Sequence, residues 1–516
     1  MNLCSEADKK KIVLISSDRS LVGMGPKILS SCLIEQGFKP TIVLMESDGD
    51  DFRNFLWKDL EDICNGASLI GISSMTAGVK KAVEIKKHLK NKCSAPIIIG
   101  GIHASLSPES LINDFEMLCH GEGEDLIVDL ARRLANNEPY DNIPGLWLNN
   151  SGRIVKNQSA PLKRDLNDYP FPDYDLRHQF ILEENRLVPV TPKPTHMRLD
   201  SFSIMGSRGC PHNCTYCCSP KMIQEFPWQK KVRHYSIDYL ISHLKEVRRI
   251  YPEVRRFWIE DDTFFAKGFD EILNFSQRYK SEVGIPFEVL ISPWTFSRDK
   301  IKVLVDAGMD KLIIGIQSGS ENVARNIYNR NISNEKILEI IKSLHEFSGM
   351  AVCYDFIVMN PFETQEDLIY TIQLIKSFPA PFIVYSNSLA FYPGTKIYDM
   401  AVKAGIAVKG RMEYTEITHG YKILRNAKMR HKIFHLIILL MGGSGNNIKI
   451  GQVRRSFISD RFISFYSFLN KRLGLISDFI VSMIAGVFLF DARFKKTLRN
   501  ILGDRTYLKL RKLLKP

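Results

Sequence analysis

Four of the ten cysteines in this 516-residue chain fall within eleven residues, RGCPHNCTYCC. Cys210, Cys214 and Cys217 have the spacing C-x3-C-x2-C, and Cys218 follows directly. Thiols this close together serve metal binding or redox chemistry in a reducing compartment, where structural disulfides are rare. The stretch Arg208–Cys218 is therefore the first candidate for the chemistry of this protein.

Three kinds of site could use these thiols. A structural zinc site needs four ligands, commonly as two separated pairs, and the chain has no second cysteine pair. A redox pair at Cys214 and Cys217 leaves Cys210 without a role. An iron–sulfur cluster held by three thiolates keeps one iron open for a substrate or cofactor. The cluster is the interpretation that uses all three cysteines.

The rest of the composition is that of a globular protein. Hydrophobic residues make up 45% of the chain and charged residues 25%. A chain of this length is too long for one core, so several domains are expected. The other six cysteines stand singly, mostly in apolar runs, as buried structural thiols do. No charged start followed by an apolar segment is visible, so we expect a cytoplasmic protein.

Short apolar runs alternate with helical segments in the first part of the chain. The runs are KIVLIS, TIVLME, SLIGISS and APIIIGG. Strands that are apolar throughout and separated by helices indicate a parallel sheet covered on both faces. Such sheets bind ligands at the loops that leave the carboxyl ends of their strands. The candidate loops span residues 16–25, 73–78, 100–105 and 121–124.

A second alternating pattern follows a proline-rich stretch. From Phe202 onwards six strand candidates, FSIMGS, RFWIED, FEVLIS, KLIIGIQ, CYDFIVM and FIVYSNS, alternate with helical segments. This pattern predicts a partial (β/α)6 barrel with its chemistry at the carboxyl ends of the strands. The predicted domains are a doubly wound parallel-sheet domain (1–145), a proline-rich linker (146–200), the barrel (201–410) and a basic, mostly helical C-terminal region (411–516).

The cysteine loop, with Tyr216 before the third cysteine, resembles the signature of radical S-adenosylmethionine (SAM) enzymes. The barrel motifs agree, since IEDD ends the second strand, GIQSGS ends the fourth, and YPGT closes the last unit. One motif departs, because MNPFET carries Met359 and Phe362 where the family often has glycine. The resemblance implies that Cys210, Cys214 and Cys217 hold a [4Fe–4S] cluster. The SAM contacts that it implies are Tyr216, Glu260, Asp261, Gln317 and Ser318.

The N-terminal half resembles the cobalamin-binding subgroup of the same enzymes, in which a Rossmann-like domain precedes the barrel. GISSMTAG, GGIHASLSPE and HGEGED match the loops that line cobalamin in that group. In SSDRSLVG, Ser20 stands where related cobalamin domains carry an axial histidine, so we expect cobalt without a protein imidazole. His103 is the alternative ligand. The cobalamin contacts that the resemblance implies are Ser73, Ser74, Thr76, Gly100, Gly101, His103, Gly121 and Gly123.

The activity that this resemblance implies is reductive cleavage of SAM to a 5′-deoxyadenosyl radical, followed by methylation of an unactivated carbon from methylcobalamin. A flavodoxin or ferredoxin would supply electrons. One alternative is a ring-forming or rearranging radical SAM enzyme without methyl transfer, and another is a non-catalytic sensor of cobalamin or SAM. A tRNA methylthiotransferase is less favoured, because the chain has neither extra N-terminal cysteines nor a recognisable RNA-binding domain.

The basic charge of the chain is concentrated at its C-terminal end. From Gly420 onwards there are 20 Lys and Arg against 4 Asp and Glu. The apolar runs IFHLIILLMGG and FIVSMIAGVFLF are too short to span a bilayer. One interpretation is a helical cap with a solvated basic face, and the other is a peripheral contact with anionic lipid. The substrate is then a small or lipid-like molecule, and nucleic acid is not favoured.

Overall fold

A computed structural model of the chain describes residues 10–17, 24–45, 57–159, 161–193, 196–197, 199–225 and 232–407. Two α/β units follow each other in these residues, one built on a nine-stranded sheet and one on a six-stranded sheet. Ser20 and the predicted C-terminal region, residues 411–516, lie outside the described residues. The α/β class expected from the sequence is confirmed.

The N-terminal unit contains strands β1–β9 and helices α1–α5. The strands are β1 Lys11–Ser16, β2 Lys39–Leu44, β3 Leu69–Ser73, β4 Ile97–Gly100, β5 Met117–Cys119, β6 Leu146–Asn150, β7 Arg153–Lys156, β8 Gln179–Glu183 and β9 Arg186–Pro189. The helices are α1 Met24–Glu35, α2 Trp57–Cys64, α3 Val79–Leu89, α4 Ile102–Leu106 and α5 Glu124–Asn136.

The centre of this sheet is parallel, as the apolar runs predict. The strand order is β7-β6-β5-β4-β3-β1-β2-β8-β9, and all pairs from β5 to β8 are parallel. Alternate side chains of β1 face opposite cores, because Val13 packs with α2 and α3 whereas Leu14 packs with α5. The direction in which successive strands are added to the sheet reverses between β1 and β3. In parallel sheets a crevice opens at such a point.

The segment expected to be a linker differs from the prediction. Residues 146–200 contribute β6 and β7 to one edge of the sheet, and β8 and β9 to the other, each as an antiparallel pair. Strand β8 also pairs in parallel with β2. The prolines in this segment stand between the short strands or at their ends, where a missing N–H costs no ladder hydrogen bond. Strands β6–β9 therefore belong to the N-terminal sheet, whereas Tyr174, Val190 and Met197 of the same segment pack in the core of the barrel.

The second unit contains strands β10–β17 and helices α6–α12. The strands are β10 Phe202–Ile204, β11 Ser207–Arg208, β12 Arg233–His234, β13 Phe257–Ile259, β14 Phe287–Ile291, β15 Met309–Gln317, β16 Ala351–Val358 and β17 Ile383–Ser388. The helices are α6 Ser219–Glu225, α7 Ile237–Ile250, α8 Phe269–Glu282, α9 Arg298–Asp306, α10 Asn334–Leu344, α11 Gln365–Lys376 and α12 Lys396–Lys403.

Six of these strands form the predicted partial barrel. Their order is β10-β13-β14-β15-β16-β17, and every pair is parallel. Side chains such as Ile259, Val289 and Phe356 pack in one apolar core with the surrounding helices. Helices α7, α9, α10 and α11 each begin after a Ser or Thr whose hydroxyl accepts a backbone N–H of the first turn. The short β11 and β12 form a separate antiparallel ladder.

No helix within the described ranges is long and apolar enough to cross a bilayer.

Candidate functional site

The cysteine loop connects β11 to α6, next to the carboxyl end of β10. Gly209 starts the loop with φ of 93°, a left-handed conformation that glycine adopts without strain. Cys214 is buried, whereas Cys210 and Cys217 are half-buried. The backbone N–H of Cys217 donates to Cys214 O at 3.3 Å. The loop thus curls back on itself and brings the second and third cysteines together.

Two neighbouring segments of the barrel hold this loop in place. Thr215 N donates to Tyr328 O at 3.2 Å, and Asn329 Nδ2 donates to Asn213 O at 2.8 Å. From the other side, Ile397 N at the start of α12 donates to Thr215 O at 3.0 Å. The cysteines therefore lie on a loop whose backbone is fixed by the connection from β15 to α10 and by the last helix of the barrel.

The thiols of the loop differ in how readily they ionise. Burial raises the pKa of Cys210 to about 12. A hydrogen bond from the Cys218 thiol lowers the pKa of Cys217 to about 6. Ser219, whose hydroxyl donates to Asp262 Oδ2 at 3.2 Å, lies 3.6 Å from the Cys217 sulfur. Cys217 is therefore the thiol of this pair that its surroundings keep as a thiolate, the form that binds iron.

We tested whether this donor set fits an iron–sulfur cluster. The described part of the chain contains no trio of Cys, His, Asp or Glu side chains arranged around a single metal ion. A four-iron cluster does not need such a trio, because each thiolate binds a different iron. Three thiols on one loop that influence one another electrostatically, with the Arg330 guanidinium 3.5 Å from Cys214 Sγ, fit a cluster of this kind.

The acidic residues after β13 divide into two roles. Asp261 is fully buried, and its carboxylate accepts hydrogen bonds from Gly206 N and Lys267 Nζ, each at 2.6 Å. Glu260 and Asp262 are exposed. The expected SAM contact at Asp261 is therefore taken up by a structural ion pair, whereas Asp262 faces the cysteine loop through Ser219. The sequence had placed Asp262 in the IEDD motif without including it among the SAM contacts.

The other expected SAM residues lie near the end of β15 and in the cysteine loop. Tyr216 Oη accepts a hydrogen bond from Arg330 Nη1 at 3.2 Å. Gln317 ends β15 with φ of 73°, a left-handed conformation that is uncommon for residues other than glycine. Ser318 is buried, and its hydroxyl accepts from Ser320 N at 3.1 Å. Ser318 therefore shapes the turn, and Tyr216 and Gln317 remain the candidates for direct contact.

The departing motif after β16 keeps an unusual backbone without glycine. Met359 has φ of 61°, a left-handed conformation that is strained for a bulky side chain. Asn360 is completely buried and donates from Nδ2 to Tyr328 Oη at 3.1 Å. Phe362 packs edge-on against Phe391, with ring centroids 6.2 Å apart. Side chains therefore fill the space that glycines would leave open.

One cavity of about 390 Å³ joins the two units. The N-terminal sheet contributes Ser73, Gly100, Gly101, Gly121 and Gly123 to its wall. The barrel contributes Gly209, Cys218, Ser219 and Asp262. Five of the eight expected cobalamin residues therefore share a cavity with the cysteine loop. The four glycines lie at the carboxyl ends of β4 and β5, and no side chains project into the cavity from these positions.

The remaining three expected cobalamin residues lie behind the wall of this cavity. His103 Nδ1 is 3.0 Å from Thr76 Oγ1, and Nε2 is 3.0 Å from Ser110 Oγ. Burial lowers the pKa of the His103 ring to about 4, so the ring is neutral. Ser74 donates its hydroxyl to Met75 O. In this geometry hydroxyls occupy both ring nitrogens of His103, so cobalt ligation would require one of these hydrogen bonds to break.

The sequence also missed an ion-pair network between the two units. Arg208 contacts Glu124 at 2.6 Å and Glu122 at 3.1 Å. Arg233 also pairs with Glu122, and it donates to Lys163 O at 2.7 Å. The glutamates belong to the HGEGED loop and Arg208 to the cysteine stretch, so both motifs were visible, but nothing in the sequence pairs them. The network clamps a predicted cobalamin loop onto the start of the cysteine loop.

In the described residues a parallel sheet is followed by a partial barrel that carries a three-cysteine loop, an arrangement similar to that of radical SAM enzymes with an N-terminal Rossmann-like domain. Residues 204–375, which run from the end of β10 to α11, match the Radical SAM superfamily. A Radical SAM domain implies a [4Fe–4S] cluster and SAM as cofactors.

Two curated relatives are similar to this chain over a range that is longer than the barrel. An uncharacterized methyltransferase of Pyrococcus horikoshii is 24% identical over 347 residues, which cover 65% of this chain and 69% of the relative. Bacteriochlorophyllide d C-8(2)-methyltransferase of Chlorobaculum tepidum is 22% identical over 353 residues, which cover 66% of this chain and 69% of the relative. Both are named methyltransferases.

Two solved structures have the same fold. The radical SAM methyltransferase TsrM from Kitasatospora setae, with tryptophan and a SAM analogue bound, has a TM-score of 0.62 at 16% identity, covering 77% of each chain. The cobalamin-dependent SAM radical enzyme OxsB, with aqua-cobalamin bound, has a TM-score of 0.62 at 17% identity, covering 95% of this chain and 75% of that one. At these identities the likeness establishes the fold.

Proposed function

We propose that this chain is a cobalamin-dependent radical SAM methyltransferase that methylates a carbon of a small or lipid-like molecule. The observation that carries the proposal is the single cavity lined by both the glycine loops of the N-terminal sheet and the cysteine loop of the barrel. Radical SAM methylation with cobalamin requires that two cofactors meet one substrate. A shared cavity provides that meeting place.

In this proposal Cys210, Cys214 and Cys217 hold the cluster, and Tyr216, Glu260 and Gln317 contact SAM. Ser73 and the glycines at 100, 101, 121 and 123 line the cobalamin. When bound, the cluster and SAM supply a 5′-deoxyadenosyl radical, and cobalamin supplies a transferable methyl group. The chain itself orients these groups and keeps water away from them. The ion pair between Glu122 and Arg208 serves this task, because it holds the two units together beside the cavity.

The cavity and one relative support the proposed class of substrate. The cavity wall is largely apolar, with Leu14, Ile72, Ile98 and Leu126 among its residues. The relative from Chlorobaculum tepidum is named a bacteriochlorophyllide d C-8(2)-methyltransferase. We therefore propose a hydrophobic or lipid-like substrate with methylation at carbon, and a low-potential flavodoxin or ferredoxin as electron donor.

Anaerobic reconstitution of the full chain tests the proposal. The protein is loaded with iron, sulfide and hydroxocobalamin, reduced, and given SAM that is deuterated in its methyl group. We expect one cluster of about four irons, one bound cobalamin, and formation of both 5′-deoxyadenosine and S-adenosylhomocysteine. The matched control is Cys353→Ala, which removes a buried thiol far from the loop.

The products separate the alternatives. Formation of 5′-deoxyadenosine without any transfer of deuterated methyl to cobalamin or product would favour a rearranging enzyme. Binding of cobalamin without SAM cleavage would favour a sensor. A chain that retains a cluster but no cobalamin would contradict the role proposed for the N-terminal domain.

A further inference from the structure

Arg330 is a buried arginine whose charge faces the cysteine loop. Its Nη1 atom donates to Cys214 Sγ at 3.5 Å and to Tyr216 Oη at 3.2 Å. Its Nη2 atom donates to Gly315 O at 2.6 Å. The guanidinium carbon lies 4.8 Å from the centroid of the Trp294 ring, and the residue is only 5% exposed. The side chain is therefore fixed on three sides.

Within the described ranges Arg330 has no carboxylate partner, unlike other arginines near the site. Arg208 and Arg233 pair with glutamates. The described side-chain atoms that its guanidinium contacts are Cys214 Sγ and Tyr216 Oη. A buried charge without a compensating charge is unfavourable. Among these two groups, the thiol is the one that becomes an anion when it binds metal.

We infer that Arg330 is the charge partner of the iron–sulfur cluster bound at Cys214 and raises the reduction potential of that cluster. The inference rests on the proposed function, because it requires the cluster. One-electron reduction adds a negative charge to the cluster, so a fixed cation beside a ligating sulfur stabilises the reduced form more than the oxidised form. Hydrogen bonds to the sulfurs and net charge are known determinants of such potentials.

The backbone of the cysteine loop does not depend on the Arg330 side chain. Thr215 N bonds to Tyr328 O, and Asn329 Nδ2 bonds to Asn213 O, both through neighbours of Arg330 in the chain. A substitution at Arg330 therefore removes the charge and leaves these bonds in place. A change in potential can then be assigned to the guanidinium.

The test compares Arg330→Lys, Arg330→Gln and Arg330→Met with the unaltered protein, each reconstituted with iron and sulfide. The matched control is Arg256→Gln, because Arg256 is a half-buried arginine that precedes β13 at the opposite end of the barrel. Iron content and an anaerobic redox titration followed by electron paramagnetic resonance are measured without SAM. For the Gln and Met variants we expect the ratio of reduced to oxidised cluster at a fixed potential to fall at least about tenfold, a shift of about 59 mV.

The reduction potential of the Arg330→Lys variant should lie between those of the unaltered protein and the Arg330→Gln variant. The potential of Arg256→Gln should equal that of the unaltered protein. Loss of iron in Arg330→Gln and Arg330→Met with retention in Arg330→Lys would also support a charge partner. The inference is overturned if Arg330→Gln keeps its iron and the original potential. It is also overturned if a folded Arg330→Lys loses the cluster, since lysine keeps the charge. Failure of the unaltered protein to bind a cluster would instead overturn the proposed function.

Discussion

Arg208 Nη2 donates to Glu124 Oε1 at 2.6 Å and so ties the start of the cysteine loop to the first residue of α5. Arg208 also lies directly opposite Arg233 in the β11–β12 ladder. Two like charges at such positions repel each other. Glu122 and Glu124, which both come from the N-terminal unit, compensate the pair. The order of the cysteine loop is therefore coupled to the docking of the N-terminal sheet.

Replacing both glutamates should uncouple the two units. In the double variant Glu122→Gln and Glu124→Gln, Arg208 and Arg233 face each other without compensation. Removing one partner of a buried ion pair costs about 3–5 kcal/mol, so we expect the free energy of unfolding to fall by about 3 kcal/mol and the retention of cobalamin to fall with it. Denaturant unfolding and cobalamin absorbance after gel filtration provide the measurements.

The matched control is Asp129→Asn on the outer face of α5. Asp129 pairs there with Arg132 and Arg133 near the surface, and exposed pairs contribute about 0–1 kcal/mol. An equal loss of stability in this control and in the double variant would contradict the coupling.

The four clustered cysteines should divide into ligands and a non-ligand. We expect Cys210→Ala, Cys214→Ala and Cys217→Ala each to lose the cluster, because three thiolates are needed to hold it. Cys218→Ala should retain it, since Cys218 acts as a hydrogen-bond donor to Cys217 and lines the cavity. Iron and sulfide counting after anaerobic reconstitution decides between these outcomes. Loss of iron in Cys218→Ala together with retention in Cys210→Ala would show that the ligand set is wrong.

Gly101 allows two loops of the N-terminal sheet to approach closely. It has φ of 99°, and an added Cβ atom would lie 2.6 Å from Ser74 O. Gly101→Ala must therefore shift the backbone on the cavity wall, with a strain of about 1–3 kcal/mol. We expect cobalamin binding to weaken more than in Gly37→Ala, where φ is 78° but nothing lies within 4 Å. Titration of both variants with hydroxocobalamin compares them, and equal affinities would argue against this wall as the binding surface.

Most of the fold could be predicted from the sequence. The strands of the parallel centre and of the barrel are apolar runs ended by small or acidic residues, and such runs are visible without knowledge of their neighbours. Strands β6–β9 were missed because they are short, form two hairpins, and have prolines between β7 and β8 and at the end of β9. They form strands because the edges of the central sheet offer hydrogen bonds. This cause depends on distant parts of the chain and is not visible in the sequence of the segment.

The site was predictable only where its residues are neighbours in the chain. The three predicted ligands Cys210, Cys214 and Cys217 lie within eight residues and form a visible sequence motif. Arg330 lies far along the chain and reaches Cys214 only through the fold. Asp261 and Asp262 illustrate a finer limit. Successive residues at the end of a strand point to opposite sides, so one faces Lys267 in the core and the next faces the cavity. The sequence alone could not show which of the two carboxylates faces the cavity.

Cobalt in this protein should carry no protein imidazole. His103 is engaged at both ring nitrogens by Thr76 and Ser110, and Ser20, which stands where an axial histidine is found in related domains, lies outside the described residues. We expect the Co(II) electron paramagnetic resonance spectrum to lack nitrogen splitting from histidine. The spectrum of His103→Gln should be the same as that of the unaltered protein, although its thermal stability should be lower. Nitrogen splitting that disappears in His103→Gln would show that the histidine is a ligand after all.

The basic C-terminal region, residues 411–516, lies outside the described residues. From Gly420 onwards it carries 20 Lys and Arg against 4 Asp and Glu beside apolar runs too short to span a bilayer. Each Lys or Arg near an anionic surface contributes about 1 kcal/mol, which salt screens. We therefore expect the full chain to sediment with vesicles that contain anionic lipid and to be released as salt rises. This behaviour would agree with a lipid-like substrate.

A chain that ends near Gly420 is the matched control, because it retains the barrel up to α12 and lacks most of the basic residues. It should not sediment with the same vesicles at low salt. If neither chain sediments, the membrane contact is excluded, and a helical cap that buries the apolar runs becomes the explanation for the region. If the shorter chain still cleaves SAM but no longer methylates its substrate, the region takes part in substrate recognition. Sedimentation of both chains alike would place the lipid contact on the described domains instead, since the basic residues would then be dispensable for it.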